Sequence, residues 1–167
     1  MNDELIIRTA EIEDLATIGF LAQQIWPGTY GSILPAEQLQ YMMDLIYSPD
    51  SLQQQMTKHK HVFLLAELDE EPVGFASWSP LKEAGVYKLH KLYVHPKTQG
   101  KGIGKTLVDF IIDQLPTPEA TTLRLNVNRH NKARQFYEKL GFIVTKEEDI
   151  DIGHDYYMND YVMEKKL

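Results

Sequence analysis

The sequence predicts an α/β chain, and three observations predict it. Lys88 to Val94 is a β-favouring run, with Leu89, Tyr93 and Val94 bounded by Gly85 on one side and Pro96 on the other. Directly after it, Gln99-Gly100-Lys101-Gly102-Ile103-Gly104 sets three glycines at alternate positions ahead of KTLVDFIIDQL, where Ile103, Leu107, Phe110, Ile111 and Leu115 recur at helical spacing. Further on, a second helical stretch from Asn131 to Leu140 meets Gly141 as a stop, and Phe142 to Thr145 then begins another strand.

The remaining elements follow in order. Leu5 to Arg8 reads as a short edge strand. Glu11-x-x-Asp14 opens an amphipathic helix with Leu15, Ile18, Leu21, Ala22 and Ile25 on one face, and Pro27-Gly28 is expected to stop it. Pro35 stands at a favoured first helical position for a second helix, and Ser51 to His59 reads as a short third one. Val62 to Leu68 and Pro72 to Ser79 are strands joined through Asp69-Glu70-Glu71, a hairpin by length and polarity. Pro116-Thr-Pro118 breaks the periodicity after the glycine-led helix. Leu123 to Val127 and Asp155 to Lys165 then read as strands.

Composition bounds the function. A chain of 167 residues without repeat, linker or low-complexity tract is expected to form one domain spanning residues 1–167. No apolar run approaches the roughly 18 residues of a membrane span. The start MNDELIIRTA lacks the basic-then-apolar pattern of a secretion signal, so a cytoplasmic protein with no membrane partner is expected. The absence of cysteine excludes disulfides, a thiol nucleophile and thiolate metal ligands. A net charge of −7 argues against a nucleic-acid partner and mildly favours a cationic small-molecule substrate, a charge balance kept for solubility being the alternative. No metal is expected, because His59 and His61 stand two apart without the third and fourth ligands of a zinc site. A self-pairing homodimer is the default expectation for assembly.

Three glycines before a helix expose backbone N–H groups where the macrodipole is positive and no side chain obstructs an anion, so a phosphate-bearing ligand is expected there. A Walker loop does not fit, since Gln99 stands where its first glycine belongs. A dinucleotide fingerprint fails because the third glycine comes one residue early.

Leu-x-Lys-Leu-Tyr-Val-x-Pro-x-x-Gln-Gly-Lys-Gly-Ile-Gly-Lys, read from Leu89 to Lys105, resembles the acetyl-CoA signature of the GNAT superfamily of N-acetyltransferases. Asn131-x-x-Ala-x-x-Phe136-Tyr137-x-x-Leu140-Gly141-Phe142 resembles its second signature. The resemblance implies the GNAT acyl-CoA N-acyltransferase fold: a mixed central sheet of about seven strands, splayed between strands 4 and 5 and flanked by about four helices.

It also implies acetyl-CoA as cosubstrate. The pantetheine arm would pair with Leu92, Tyr93 and Val94, and the pyrophosphate would meet the amides of Gln99, Gly100, Gly102, Gly104 and Lys105. Ile103 falls in the same segment, and Lys101 and Lys105 add positive charge. Asn131 matches an asparagine that contacts the coenzyme, although a helix-capping role alone would justify it. Tyr137 matches the tyrosine that protonates the departing thiolate; its phenol, with an ordinary pKa of about 10, stays protonated at neutral pH. His90 stands where some relatives carry a glutamate base, and an imidazole with a pKa of about 6.5 can take a proton from the amine through water. Other carboxylates remain alternatives.

The acceptor is read from two regions. Trp26, Tyr30 and Tyr41 lie where the resemblance puts part of the acceptor wall, and ordinary core packing is the alternative. The run from Glu147 to Tyr161 interleaves acids with tyrosines, Asp155 and Tyr156 among them; such groups attract alkylammonium ions, and a solvated loop between two strands is the alternative. Patterns around Trp26–Gly31, Leu34–Met42, Asp151–Gly153 and Asp160–Met163 resemble the bacterial spermidine/spermine N-acetyltransferase subgroup, implying transfer of acetyl to a primary amine, a polyamine first. A protein or peptide N-terminus or lysine is the second acceptor. A coenzyme-binding sensor without turnover is the reading from another class.

Overall fold

Two turns of left-handed backbone set the hairpins of the chain. The computed structural model describes residues 4–167. Within them β2 (Val62–Leu68) and β3 (Glu71–Pro80) are joined by Asp69 and Glu70 alone, at φ 52° and 68°. Leu68 pairs directly with Glu71. Both central residues lie at positive φ, the arrangement whose twist matches that of two antiparallel strands. The same device joins β6 (Ile143–Gly153) to β7 (Tyr156–Lys166) through His154 and Asp155, at φ 53° and 61°.

The other elements are β1 (Leu5–Thr9), α1 (Leu15–Tyr30), α2 (Ala36–Tyr47), α3 (Pro49–Thr57), β4 (Val86–Val94), α4 (Ile103–Gln114), β5 (Thr122–Asn128) and α5 (Ala133–Lys139). Short 3-10 turns precede α1 and follow β4. Hydrogen bonding orders the strands β1-β2-β3-β4-β5-β7-β6, with β4 and β5 parallel and β1–β2, β2–β3, β5–β7 and β6–β7 antiparallel. This is the mixed seven-stranded sheet implied by the resemblance, and α3 is the short third helix expected from Ser51 to His59, so the helices number five where about four were implied.

Two elements run further than expected. α1 passes through Pro27 to Tyr30: Gly31 N–H donates to Pro27 O at 2.9 Å and Thr29 Oγ1 to Ile25 O at 3.2 Å, and the extra turn buries Tyr30 beside Trp26. Burial of two large rings outweighs the one backbone hydrogen bond that a proline removes near a helix end. β6 reaches Gly153 through the acidic run, because pairing with β7 gives alternate residues of this edge strand their ladder bonds. Its charges alternate with half-buried Glu148, Ile150 and Ile152, while Arg129 meets Glu147 at 3.5 Å and Asp149 at 2.5 Å on the exposed side.

The chain forms two compact units. One runs up to Ser79 and includes Lys91–Gln114; the other comprises Pro80–His90 and Leu115–Leu167. In the first, Phe63, Leu64, Leu65 and Ala66 are buried in succession, so both faces of β2 are covered. The entry to α1 is locked by Arg8, whose guanidinium forks onto both oxygens of Asp14 at 2.9 Å and also reaches Glu67 at 2.9 Å. In the second unit β5 alternates cleanly: Leu123, Leu125 and Val127 are buried, while Arg124, Asn126 and Asn128 form a polar face.

One lysine breaks the apolar rule in the first unit. Lys91 is 7% exposed, with Nζ 5.7 Å from the ring centre of Tyr47 and 5.5 Å from that of Phe63. Nζ donates to Gln55 Oε1 at 2.5 Å, and Gln55 Nε2 in turn donates to Ile46 O at 2.8 Å and Ser51 Oγ at 3.0 Å. The network ties α2, α3 and β4 together through a neutral amide. Burial pushes the Lys91 ammonium down to about 7 from its ordinary 10.5. Between those two values the unfolded chain holds more protons than the folded one, so this residue makes stability rise with pH across that window. Urea unfolding at about pH 7.5 and about pH 9.5 should show wild type gaining up to about 2–3 kcal/mol relative to Lys91→Met. Parallel behaviour of the two proteins would show that Lys91 stays protonated.

Candidate active site

The first half of the candidate site is the passage from β4 into α4. Strand β4 lies so close to β3 that a Cβ on Gly74 would stand 2.9 Å from Tyr93 O. His95 N–H then donates to Val73 O at 2.7 Å, and a 3-10 turn over Pro96–Thr98 redirects the chain, with Thr98 Oγ1 donating to His95 O at 3.0 Å. Gly100 at φ 85° and Gly102 at φ 75° carry the backbone through left-handed conformations, and a Cβ on either would meet nothing within 4 Å. The glycines are therefore demanded by backbone angle, and the space over them is open.

Helix α4 begins at Ile103. Thr106 N–H makes the bond back to Gly102 O at 3.0 Å, which leaves the amides of Ile103, Gly104 and Lys105 as helix-start donors without an intrahelical acceptor. This is a cradle for an anion built of main-chain N–H groups, and it fits a diphosphate. Gln99 is the exception among the expected donors, since its N–H is engaged with Pro96 O at 3.2 Å. Ile103 points inward at 2% exposure and anchors the helix. Lys101 is exposed, and Lys105 pairs along the helix with Asp109 at 2.7 Å.

The same unit gathers an aromatic cluster. Trp26 lies 4.6 Å from Tyr30, 5.3 Å from Tyr47 and 5.7 Å from Tyr93 between ring centres, and Phe75 lies 5.9 Å from Tyr47 and 5.6 Å from Tyr93. The Tyr30 and Tyr93 hydroxyls share a hydrogen bond of 2.8 Å. Trp26 and Tyr30 are buried, so their rings act first as packing, whereas Tyr41 on α2 and Leu92, Tyr93 and Val94 on β4 are half-buried. Sequence reasoning missed Phe75 as a member, and Tyr47, in the same aromatic-rich segment as Trp26 and Tyr30, was not singled out as a site residue. Burial pushes the Tyr47 hydroxyl well above its ordinary value, keeping it neutral.

The second unit carries the expected proton donor. Tyr137 on α5 is 7% exposed, edge-on to Phe136 at 5.2 Å and to Phe142 at 5.6 Å. Its own carbonyl accepts from Leu140 and Phe142 N–H, so the turn after α5 holds the residue in place. Asn131 Oδ1 accepts from Ala133 N–H at 2.9 Å, a side-chain turn that leads the chain into α5, whose N-cap position is Lys132. His90 is half-buried on β4, one residue past Leu89, where the parallel pairing of Val86–Leu89 with Thr122–Leu125 ends. Asp155 is exposed in the β6–β7 turn and Tyr156 is half-buried beside it.

One acid of the tyrosine-rich run behaves unlike the rest. Asp160 is 2% exposed, and burial raises its pKa. The sequence placed Asp160 in that run, and the signal for its burial was its position on β7, two residues from Val162 on the same strand face.

This arrangement has known relatives. The family model described as Acetyltransferase (GNAT) domain matches residues 34–158. The spermidine N(1)-acetyltransferase of Thermoplasma acidophilum is 32% identical over 165 residues, 96% of this chain and 96% of that protein. A shorter match, 38% identical over 86 residues, covers 51% of this chain and 53% of the ribosomal protein bS18-alanine N-acetyltransferase of Haemophilus influenzae. Among solved structures, PaiA N-acetyltransferase from Thermoplasma acidophilum in complex with coenzyme A aligns with a TM-score of 0.81 at 30% identity, over 98% of this chain and 99% of that one. A glycine-led helix start, a buried tyrosine after it and relatives matched along nearly the whole length agree: the chain belongs to the GNAT family of N-acetyltransferases.

Proposed function

We propose that this chain, working as one cytoplasmic acetyltransferase domain, moves the acetyl group of acetyl-CoA directly to a primary amine, and that a polyamine is its acceptor. The observation that carries the coenzyme reading is the open left-handed turn at Gly100 and Gly102 leading into the free amides of α4. Support for the polyamine comes from the full-length similarity to a spermidine N(1)-acetyltransferase, together with the negative net charge of −7. A protein or peptide amine is the second reading, favoured by the shorter match to a ribosomal-protein alanine acetyltransferase.

When bound, acetyl-CoA supplies an activated acetyl thioester. The amides of Gly100, Gly102, Gly104 and Lys105 hold its diphosphate, with Ile103 fixing the helix behind them and Lys101 adding charge. Gln99 joins this set if its N–H turns from Pro96. Backbone groups of Leu92, Tyr93 and Val94 offer strand-like pairing to an extended amide-bearing arm. Asn131 fixes the start of α5 and thereby the phenol of Tyr137, which holds the proton that the thiolate sulfur needs on departure. His90 removes the proton that the amine nitrogen must lose before it attacks, through water. Tyr30 and Tyr41, with Trp26 packed behind, serve the acceptor, as do Asp155 and Tyr156.

Thiol release from acetyl-CoA with spermidine, spermine, lysine and peptide amines tests the reading directly; acceleration by a peptide amine and by no polyamine would select the second acceptor. Tyr137→Phe keeps the ring packing and should lower kcat on the order of 100-fold with little change in the KM for acetyl-CoA. An unaltered kcat would remove Tyr137 from the chemistry. Gly102→Ala forces a side chain into left-handed backbone at a strain of about 1–2 kcal/mol. It should raise the KM for acetyl-CoA while sparing acetyl-pantetheine, which lacks the nucleotide. An equal effect on both thioesters would show that the turn does not hold the diphosphate.

A further inference from the structure

Against the polar face of β5, strand β7 holds a buried carboxylate that the roles above leave unused. Lys88 on β4 is the register partner of Arg124, and His90 follows two residues later on the same face. Arg124 is accounted for by Glu164 at 2.6 Å and Glu83 at 3.5 Å. Asp160 is not. Its backbone lies between Asn128 of β5 and Glu148 of β6, and its side chain is 2% exposed. The carboxylate accepts a hydrogen bond from Asn126 Nδ2 at 3.3 Å. Among the described residues no cation stands at ion-pair distance from it.

The charged groups nearby leave that gap open. Lys88 acts on Asp160 through space without closing to an ion pair, and Arg129 is committed to Glu147 and Asp149 on β6. Glu148, the cross-strand neighbour of Asp160, has Lys146 at 3.1 Å. Burial raises the pKa of Asp160 and lowers that of Lys88, so both groups lack water they would otherwise keep. A buried carboxylate with one long hydrogen bond is costly, and a leucine or asparagine at this position would avoid the cost. An incoming alkylammonium would provide the missing donors and the missing charge together.

From this geometry we infer that Asp160 binds the non-reacting ammonium of a diamine or polyamine acceptor, with Asn126 orienting the carboxylate and Lys88 setting its strength. The reacting nitrogen has to shed its proton, and a carboxylate beside it would stabilise the charged form. A second ammonium, which keeps its charge throughout, is the suitable partner for this group. The inference rests on the polyamine reading and on His90, on the same face, marking the reacting end. It makes Asp160 a specificity-determining residue, one that separates diamines from monoamines.

The test compares 1,4-diaminobutane with 1-aminobutane, matched in length and differing in the second ammonium. Wild type should prefer the diamine in kcat/KM. Asp160→Asn should cut the diamine-to-monoamine ratio about ten- to a hundredfold, chiefly through the KM for the diamine, the range expected of a charge-assisted hydrogen bond. Lys88→Met should move the ratio in the opposite direction, a sign that general damage to the fold would not produce, and it carries the test alone if Asp160→Asn fails to fold. Thermal unfolding should show Asp160→Asn at least as stable as wild type without substrate, since a buried charge is removed. If wild type prefers the diamine and neither variant changes the ratio, the inference is overturned while the polyamine reading stands. If wild type acetylates peptide amines and neither alkylamine, the polyamine reading falls and takes the inference with it.

Discussion

Main-chain N–H groups at the start of α4 that no carbonyl among the described residues takes up are the constraint on which the candidate site depends. A helix start always leaves such donors. Here they are kept available because the residues leading into α4 are glycines in left-handed backbone, with open space where side chains would stand. The approach to this turn is equally constrained: Gly74 lets Tyr93 O come within 2.9 Å of where a Cβ would be, and His95 N–H is tied to Val73 O. The sheet thus delivers the turn at a defined position, and the helix macrodipole adds to the attraction for an anion. Fold and the proposed coenzyme contact share one segment, so strand, turn and helix are read together in the sequence.

A second theme is charge taken out of water. Lys91 in one unit and Lys88 and Asp160 in the other all sit where apolar side chains would cost less. Their solutions differ. Lys91 is satisfied by a neutral amide, Gln55, that itself binds two helix groups, so its network is closed and structural. Asp160 has one amide donor at 3.3 Å and capacity for more, so its network is open. The contrast between a closed and an open buried charge is what separates a scaffold residue from a candidate ligand contact.

Much of the architecture was legible because period and punctuation agree. Alternation marked the strands, glycine and proline marked their ends, and the two signature segments carried the resemblance to the family. Legibility failed where tertiary gains override a local signal. Pro27 reads as a stop, yet α1 continues because Trp26 and Tyr30 find cover in the aromatic cluster. The acids from Glu147 to Asp151 read equally as loop, yet they form an edge strand because β7 supplies the ladder and Arg129 the counter-charge. Tyr47, Phe75 and Lys91 carry no local mark of their roles; their neighbours come from distant parts of the chain.

By itself the amino-acid order determined the elements, the glycine turn, the position of Tyr137 and the family, since each depends on residues adjacent or a few positions apart. Only the tertiary structure decided which polar groups lose their water and which find partners. Exposure and partnership depend on strand register and on layers brought together across long separations, so identical aspartates in one run became, at Asp149, the partner of an arginine and, at Asp160, a buried carboxylate held by one amide.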